Sequence, residues 1–490
     1  MPESQRKLIH KNNIHLFEEH SSTLPIWWER HDSPRTAVYL DAHLDLQKTA
    51  DDAIAALKIC TRLDEVKALE APDHLNPSTR YAFGIENFLY AAHQLKLIDR
   101  LIWVSPPHIP RNYSNALISY MQQMDGISFE ELMGFQKVGG NTLRGSLMGL
   151  DITICDYDEL ASLGIDDSYY LDIDIDYFVE VPADRLWIDP AIVVNSILQQ
   201  LGDPSLVTIS KAVSSGFTPV AYGFVGDYIQ SLITGRNPET DYYRNLTLAI
   251  HSMDDGKLAQ GKQICEQLIK DLPNLAPAYY VLALGTADSN EKSRLLDKAC
   301  ARDSAYRFNL ARDSIGLLHR KKPLHASTLQ QLTAALERLE PGQLDRQQAL
   351  VALAQVLSTC GKVEQAQTLL ARQSGEYAQH EDVLLAITAR QLTDPGKLEQ
   401  NKAMLNRIAN GEKNATTARL YLGDLEFAEG DYQLALEHYC AALGRAPAWM
   451  QLLERIHASY QKLGMNDKAG EVEQQIIKRK RRLEKILAQA

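Results

Sequence analysis

Asp41, His43 and Asp45 fall within Tyr39-Leu40-Asp41-Ala42-His43-Leu44-Asp45-Leu46, where three side chains of metal-ligating type follow a short apolar run. Far downstream, Tyr169-Tyr170-Leu171-Asp172-Ile173-Asp174-Ile175-Asp176-Tyr177-Phe178 has an aspartate at every second position of an apolar pattern. Residues two apart in a strand share a face, so Asp172, Asp174 and Asp176 are expected to project together. Like charges taken out of water repel one another and lose hydration, and they persist only beside cations. Oxygen ligands with one or two imidazoles and no thiolate suit Mn²⁺ better than a structural zinc. The carboxylates are too many for one ion, which points to two per chain. Such a pair, about 3.5–4 Å apart, can generate hydroxide from water at neutral pH.

Strands must deliver these groups. Ile14 to Phe17 reads as a first strand, followed by a helix start with Ser21 or Ser22 as N-cap and Pro25 in the first turn. Glu19 and His20 then lie in a strand-to-helix turn, where open parallel sheets place ligand-binding side chains. Thr36–Leu40, Ile98–Val104, Leu150–Cys155, Tyr169–Ile175 and Leu206–Ser210 read as further buried strands, with helical stretches at Asp51–Lys58 and within Thr79–Leu97. The alternation predicts an α/β domain, a parallel sheet between two helical layers, over residues 1–235.

From Gly235-Arg236-Asn237-Pro238-Glu239 onward the texture becomes helical, which sets a second, all-α domain at residues 236–490. Leu422-Gly423, Ala435, Tyr439, Ala442 and Pro447 fit the tetratricopeptide pattern, small residues where two helices touch and proline after the second. Weaker units around Leu353-Ala354 and Leu248-Ala249 extend this to a solenoid of degenerate helical pairs, with a concave face suited to an extended peptide or another subunit. The basic tail Lys478-Arg479-Lys480-Arg481-Arg482 reads first as a solvated capping helix, with a contact to the acidic first domain as the alternative.

A net charge of -12 argues against broad nucleic-acid binding and accommodates a cationic ligand. The six cysteines are scattered without a close pair, so neither a disulfide framework nor a zinc ribbon is visible. No signal-like or membrane-spanning apolar run is present, and the expected location is cytoplasmic.

A histidine in a turn, then Asp-Ala-His-x-Asp, then an Asp-x-Asp strand resembles the ligand order of the arginase and agmatinase superfamily of binuclear manganese ureohydrolases. Asp41-Ala42-His43-Leu44-Asp45-Leu46 and Leu171 to Phe178, with Glu18-Glu19-His20-Ser21, Ile85-Glu86-Asn87 and Ser215-Gly216-Phe217-Thr218-Pro219, look more closely like an atypical arginase-like family that includes peptide arginases. The resemblance covers about residues 8–232. It implies an arginase-like three-layer fold and hydrolysis of arginine side chains within a peptide or protein to ornithine and urea.

By the same resemblance, His20, Asp41, Asp45 and one aspartate of the later strand hold the first ion. His43, Asp41 and two aspartates of that strand hold the second. Simple order makes these Asp172 and Asp174, with Asp176 either supporting the ligands from behind or facing the substrate; the register Asp174 and Asp176 stays open. Asp45 is placed to orient the bridging hydroxide, and Glu86, then Glu19, are the candidates to hold the cationic substrate, with Asn87 beside them. The nearest histidines for a proton donor, His93 and His108, match no family position. The family's glycine-containing turn and Asp-Pro are missing after the second motif, where Tyr177-Phe178 stand and Asp189-Pro190 lies downstream, and the glycine-rich context of the first histidine is replaced by Glu18-Glu19-His20. The helical repeats are expected to dock the peptide, and the segment before Gly235 to bind metal by itself. Alternatives are a hydrolase of a free guanidino or acyl-amine compound and a metal-free scaffold; a homo-oligomer is compatible with each.

Overall fold

The computed structural model describes residues 13–489 except 31–34, 77, 79, 108–120, 166–167, 181–182, 236, 320–324, 341–343, 374 and 412. Parallel strands β1 (Ile14–Phe17), β2 (Arg35–Leu40), β3 (Ile98–Val104), β6 (Leu150–Cys155), β7 (Tyr169–Asp174) and β10 (Leu206–Ser210) form most of one sheet. Its order is β1-β10-β7-β2-β3-β6-β5-β4, closed at one edge by antiparallel β4 (Gln136–Gly139) and β5 (Thr142–Leu147). β8 (Val179–Glu180) and β9 (Arg185–Leu186) make a separate short ribbon. The β4–β5 hairpin departs from the all-parallel expectation. All of β4 is exposed, so it carries no apolar run by which a buried strand is recognised.

The sheet is covered on both faces. Val38, Leu40, Leu171, Ile173, Val207 and Ile209 point to one core, with helices Pro190–Leu201 and Phe224–Thr234. The alternate residues Ala37, Tyr39, Leu101, Trp103 and Tyr170 point to the other, under helices Thr23–Glu29, Asp51–Lys58 and Phe88–Gln94. This period-two division places Asp172 and Asp174 on the Tyr39 face. Ser22 does occupy the N-cap position before Thr23, but neither serine caps the helix: both hydroxyls donate to Glu70 Oε1, at 2.9 and 2.8 Å.

Beyond β10 the described chain is helical, and Gly423 meets the Tyr439 ring between helices Ala415–Glu429 and Tyr432–Arg445. The two halves are not independent bodies. The core that begins at Ile14 runs on through Leu246, Ala249, Cys265, Ala278 and Ala299, so apolar burial crosses residue 235 without a break. Leu75 is buried among the later helices. Asp125 accepts from Thr416 Oγ1 at 2.6 Å and Arg445 Nε at 2.8 Å. The basic tail is drawn into the same clasp: Arg482 pairs with Glu130 at 2.6 Å and the Arg479 guanidinium covers the Phe129 ring at 4.5 Å. It therefore contacts the first half instead of standing free as a capping helix. Among the described residues no helix is long and apolar enough to cross a membrane.

Candidate metal centre

β2 and β7 pair in register, Tyr39 with Asp172 and Leu40 with Ile173, so Asp41 and Asp174 emerge side by side at the carboxyl ends of two central strands. From β2 the chain moves outward to β3 and β6; from β7 it moves the opposite way to β10. The crevice between them is the switch point at which open α/β sheets bind ligands. β1 pairs with β10 and delivers His20 in the turn before helix Thr23–Glu29.

Two ligand groups converge there, His20 with Asp41 and Asp174, and Asp41 with His43 and Asp176; within each the donor atoms lie no more than 4.8 Å apart. Asp41 belongs to both. His20 Nδ1 is 3.0 Å from Asp41 Oδ2, 3.3 Å from Asp174 Oδ2 and 3.4 Å from Asp45 Oδ2. His43 Nδ1 is 2.9 Å from Asp176 Oδ2 and 3.6 Å from Asp41 Oδ1. His20, Asp41 and Asp174 are buried, whereas the His43 side chain is 49% exposed, so the second group opens to solvent.

Backbone amides fix the carboxylates. Asp41 Oδ1 accepts from His43 N at 2.6 Å, Asp174 Oδ1 from Asp176 N at 3.2 Å and Asp176 Oδ1 from Ala42 N at 3.3 Å. The Oδ2 atom of each is left facing an imidazole nitrogen. His20 Nδ1 is buried and has no well-directed hydrogen bond among the described residues, although three carboxylate oxygens surround it. That is the geometry of a ligand sphere, and the nitrogen-oxygen donor set fits a divalent cation.

Asp172 is not part of either group. Its Oδ2 lies 2.9 Å from His20 Nε2 and its Oδ1 accepts from Thr23 and Thr208. Strand parity does put Asp172 and Asp174 on one face, but the step of about 6.6–6.8 Å between them leaves room for the His20 ring. The ring spans that step, Nε2 to Asp172 and Nδ1 to Asp174. The groups that could hold an ion thus contain Asp174 and Asp176, and Asp172 faces the far nitrogen of His20. Asp176 in turn reaches His43 from the 3₁₀ turn Ile175–Phe178, past the end of the strand.

Without a cation this centre retains protons. Burial disfavours the imidazolium of His20, but Asp172, Asp174 and Asp41 outweigh it and hold its pKa well above the usual range. Lost hydration likewise opposes charge on His43 and is overcome by Asp176 and Asp41. Burial works against ionisation of Asp41 too, yet both imidazoles pull its pKa down. Burial and the Asp41 charge push Asp45 up to about 7; burial and a neighbouring carboxylate also raise Asp174 and Asp176. A bound cation would displace these protons.

The substrate-side candidates are placed differently from expectation. Glu86 lies 3.5 Å from Lys413 of the helical half. Asn87 Oδ1 closes its own turn by accepting from Gly84 N at 2.9 Å. Glu19 accepts from Ser214 Oγ at 2.8 Å, and burial with nearby acidic groups pushes its pKa up to about 7. His93 faces the Ile98 carbonyl, 3.3 Å away, and His108 lies outside the described residues. Asp189 caps helix Pro190–Leu201 through Ala191 N.

Sequence reading missed the role of Tyr39, whose hydroxyl lies between the Oδ2 atoms of Asp41 and Asp45 and whose ring stacks on His20 at 5.5 Å. Its signal was available, because Tyr39 is two residues before Asp41 and shares its face. Trp103, which donates to the Asp41 carbonyl at 3.0 Å, and Thr208 come from neighbouring strands and have no local signal. No protein-family model matches the chain, and no curated protein does.

Proposed function

We propose that this chain is a binuclear manganese hydrolase of the arginase type, converting arginine residues within a peptide or protein to ornithine with release of urea. The observation that carries the reading is the pair of His/Asp groups joined through Asp41. The motif order around His20, Asp41-Ala42-His43-Leu44-Asp45 and Asp174 to Asp176 supports an arginase-like domain, and the Gly423–Tyr439 contact supports tetratricopeptide-like helical pairs beside it.

His20, Asp41 and Asp174, bordered by Asp45, would hold one ion, and Asp41, His43 and Asp176 the other. When bound, the two ions would supply a hydroxide nucleophile at neutral pH and stabilise negative charge on its oxygen. Asp45, held by Tyr39 on the rim of the first group, takes a hydrogen bond from the nucleophile and orients it. The half-exposed edge of His43 and the adjoining Phe217 ring leave the approach for the guanidinium on that side. Water adds to the guanidinium carbon, its bond to the side-chain Nε breaks, and that nitrogen departs protonated as the ornithine amine. An arginine already in peptide bonds needs no clamp for free α-amino and α-carboxylate groups, which agrees with the absence of a recognisable one in the sequence.

The test is to load the full chain with Mn²⁺ and incubate it with an acetylated arginine peptide or free arginine, reading urea and the mass of the product peptide. The expected result is ornithine in the peptide, less turnover of free arginine, and none with Asp41→Ala. Two bound manganese with no urea from either substrate would defeat the reading.

A further inference from the structure

Both halves of the chain build the surroundings of His43. Its ring meets Phe217 edge-on at 5.3 Å, and Phe217 packs on His74 at 5.7 Å. A Cβ on neighbouring Gly216 would come within 2.8 Å of the Arg312 carbonyl, so this loop is pressed against helix Leu310–His319. The helical half also grips the loop that carries His74: Asp73 Oδ2 accepts from Gln348 Nε2 at 2.8 Å, and His380 hydrogen-bonds to the Leu75 backbone.

Next to His74 lies a charged seam between the halves. Lys413 Nζ is 3.1 Å from Asp382 Oδ2 and 3.5 Å from Glu86 Oε2. Asn414, whose φ of 61° turns the chain back, donates to the other Asp382 oxygen at 2.7 Å and fixes that carboxylate. Lys413 and Glu86 remain nearly half exposed. His380 is 4% exposed; its Nδ1 has no hydrogen-bond partner among the described residues and faces Asp382 Oδ2 at 3.9 Å.

We infer that Glu86 and Asp382, one carboxylate from each half, form a cation subsite beside the metal centre, which Lys413 fills in the free protein and a basic side chain of the peptide takes over. The chemistry favours exchange. An ammonium is a point charge on a flexible stem, whereas a guanidinium brings a planar fork of five donors that fits two carboxylates. Lys413 is 44% exposed on a flexible stem, so its ammonium can leave the carboxylates for water when another cation takes its place. The unused His380 Nδ1 offers one more polar partner on the same side.

Ring-to-ring steps of 5.3 and 5.7 Å separate His43 from His74. The two steps hold His74 within about 11 Å of His43, and the charges of Lys413 and Asp382 act on His74, so one extended peptide can reach both places. The subsite rests on the peptide-arginine reading only for the identity of its ligand. It accordingly selects a peptide with a second lysine or arginine a few positions from the reacting arginine.

Binding is measured on the full-length, Mn²⁺-loaded protein by calorimetry, independently of urea release. The probes are pairs of acetylated peptides that share one arginine and differ at one position two to five residues away, arginine against glutamine. Wild type should prefer the two-arginine peptide by roughly 3- to 10-fold. Lys413→Met should widen that preference, Asp382→Asn should erase it, and manganese content should stay constant. No preference in wild type, or the same preference in folded Asp382→Asn, overturns the subsite. Should Asp382→Asn fail to fold, Lys413→Arg decides: a built-in guanidinium competes better and should shrink the preference, and an unchanged preference overturns the subsite. Wild type that prefers the two-arginine peptide but releases no urea keeps the subsite and defeats the hydrolase reading; urea release without the preference does the reverse.

Discussion

Replacing Asp172 and Asp176 one at a time by asparagine separates two registers that the sequence allows. Asp176 presents Oδ2 to His43 Nδ1 at 2.9 Å and belongs to the second ligand group, so Asp176→Asn should remove that ion and drop the stoichiometry from two to one. Among the described residues the polar partners of the Asp172 carboxylate are the far nitrogen of His20 and the Thr23 and Thr208 hydroxyls, so Asp172→Asn should keep two ions and weaken the first. Loss of a carboxylate that orients a ligating histidine typically costs 10- to 100-fold in metal affinity. That is about 1.4–2.7 kcal/mol. A further cost of about 1–3 kcal/mol falls on folding, because buried donors lose their charged acceptor. Manganese retained after gel filtration, titration calorimetry and a thermal melt measure the three quantities separately. If Asp172→Asn retains one ion while Asp176→Asn retains two at wild-type affinity, the ligands are Asp172 and Asp174 and the geometric reasoning is wrong.

Two further expectations concern stability. In chelator, the pKa values of Asp45 (about 7), Asp174, Asp176, His20 and His43 are all raised, so the folded chain holds more protons than the unfolded one. The contribution of Asp45 to stability is intact below its ordinary range and lost as pH rises from about 4 to 7, by no more than ~4 kcal/mol. Asp41, whose pKa is lowered, opposes this only in acid. Denaturant melts with chelator should therefore show lower stability at pH 8 than at pH 5, and saturating Mn²⁺ should reverse the order, since metal binding releases those protons; a chelated protein that gains stability with pH would contradict the charge arrangement. Residues 1–235 expressed alone should aggregate or lack fixed tertiary structure, because Leu246, Ala249, Cys265 and Ala278 complete the core behind the sheet; a monodisperse fragment with native near-ultraviolet circular dichroism would show that the halves fold separately.

The parts legible in the sequence are those set by local pattern. Residues 101–104 and 152–155 are short runs, apolar but for Thr153, that mark the strands Ile98–Val104 and Leu150–Cys155, and with Leu206–Ser210 they are recognisable because both faces of the sheet are covered there. His20, Asp41, His43, Asp174 and Asp176 were likewise recognisable by residue type at strand ends. What local pattern does not carry is which nitrogen meets which carboxylate. The role of Asp172 depends on the His20 ring arriving from an edge strand, and the partner of Glu86 is a lysine more than three hundred residues away. A change from strand to helix periodicity near residue 235 marks a change of secondary structure, and the continuity of the buried core across it has no local signal either.

The strongest physical argument for cations lies in a charge imbalance that hydrogen bonding does not remove. Asp41, Asp45, Asp172, Asp174 and Asp176 are all buried, and the ion pairs described for them are with His20 and His43. Both imidazoles fully protonated would still leave the carboxylates in excess. A cluster with only a structural role would be expected to have arginine or lysine turned inward, since an unpaired buried charge costs several kcal/mol. Here the nearby Lys413 instead pairs with Glu86 and Asp382 on the outer seam. The Oδ1 atoms of Asp41, Asp174 and Asp176 are tied to backbone amides, so these carboxylates cannot turn away to solvent without breaking the loops that hold them. Their Oδ2 atoms therefore stay aimed at two shared points, where the excess of carboxylates is met by retained protons in the absence of metal and is the complement of divalent cations in its presence.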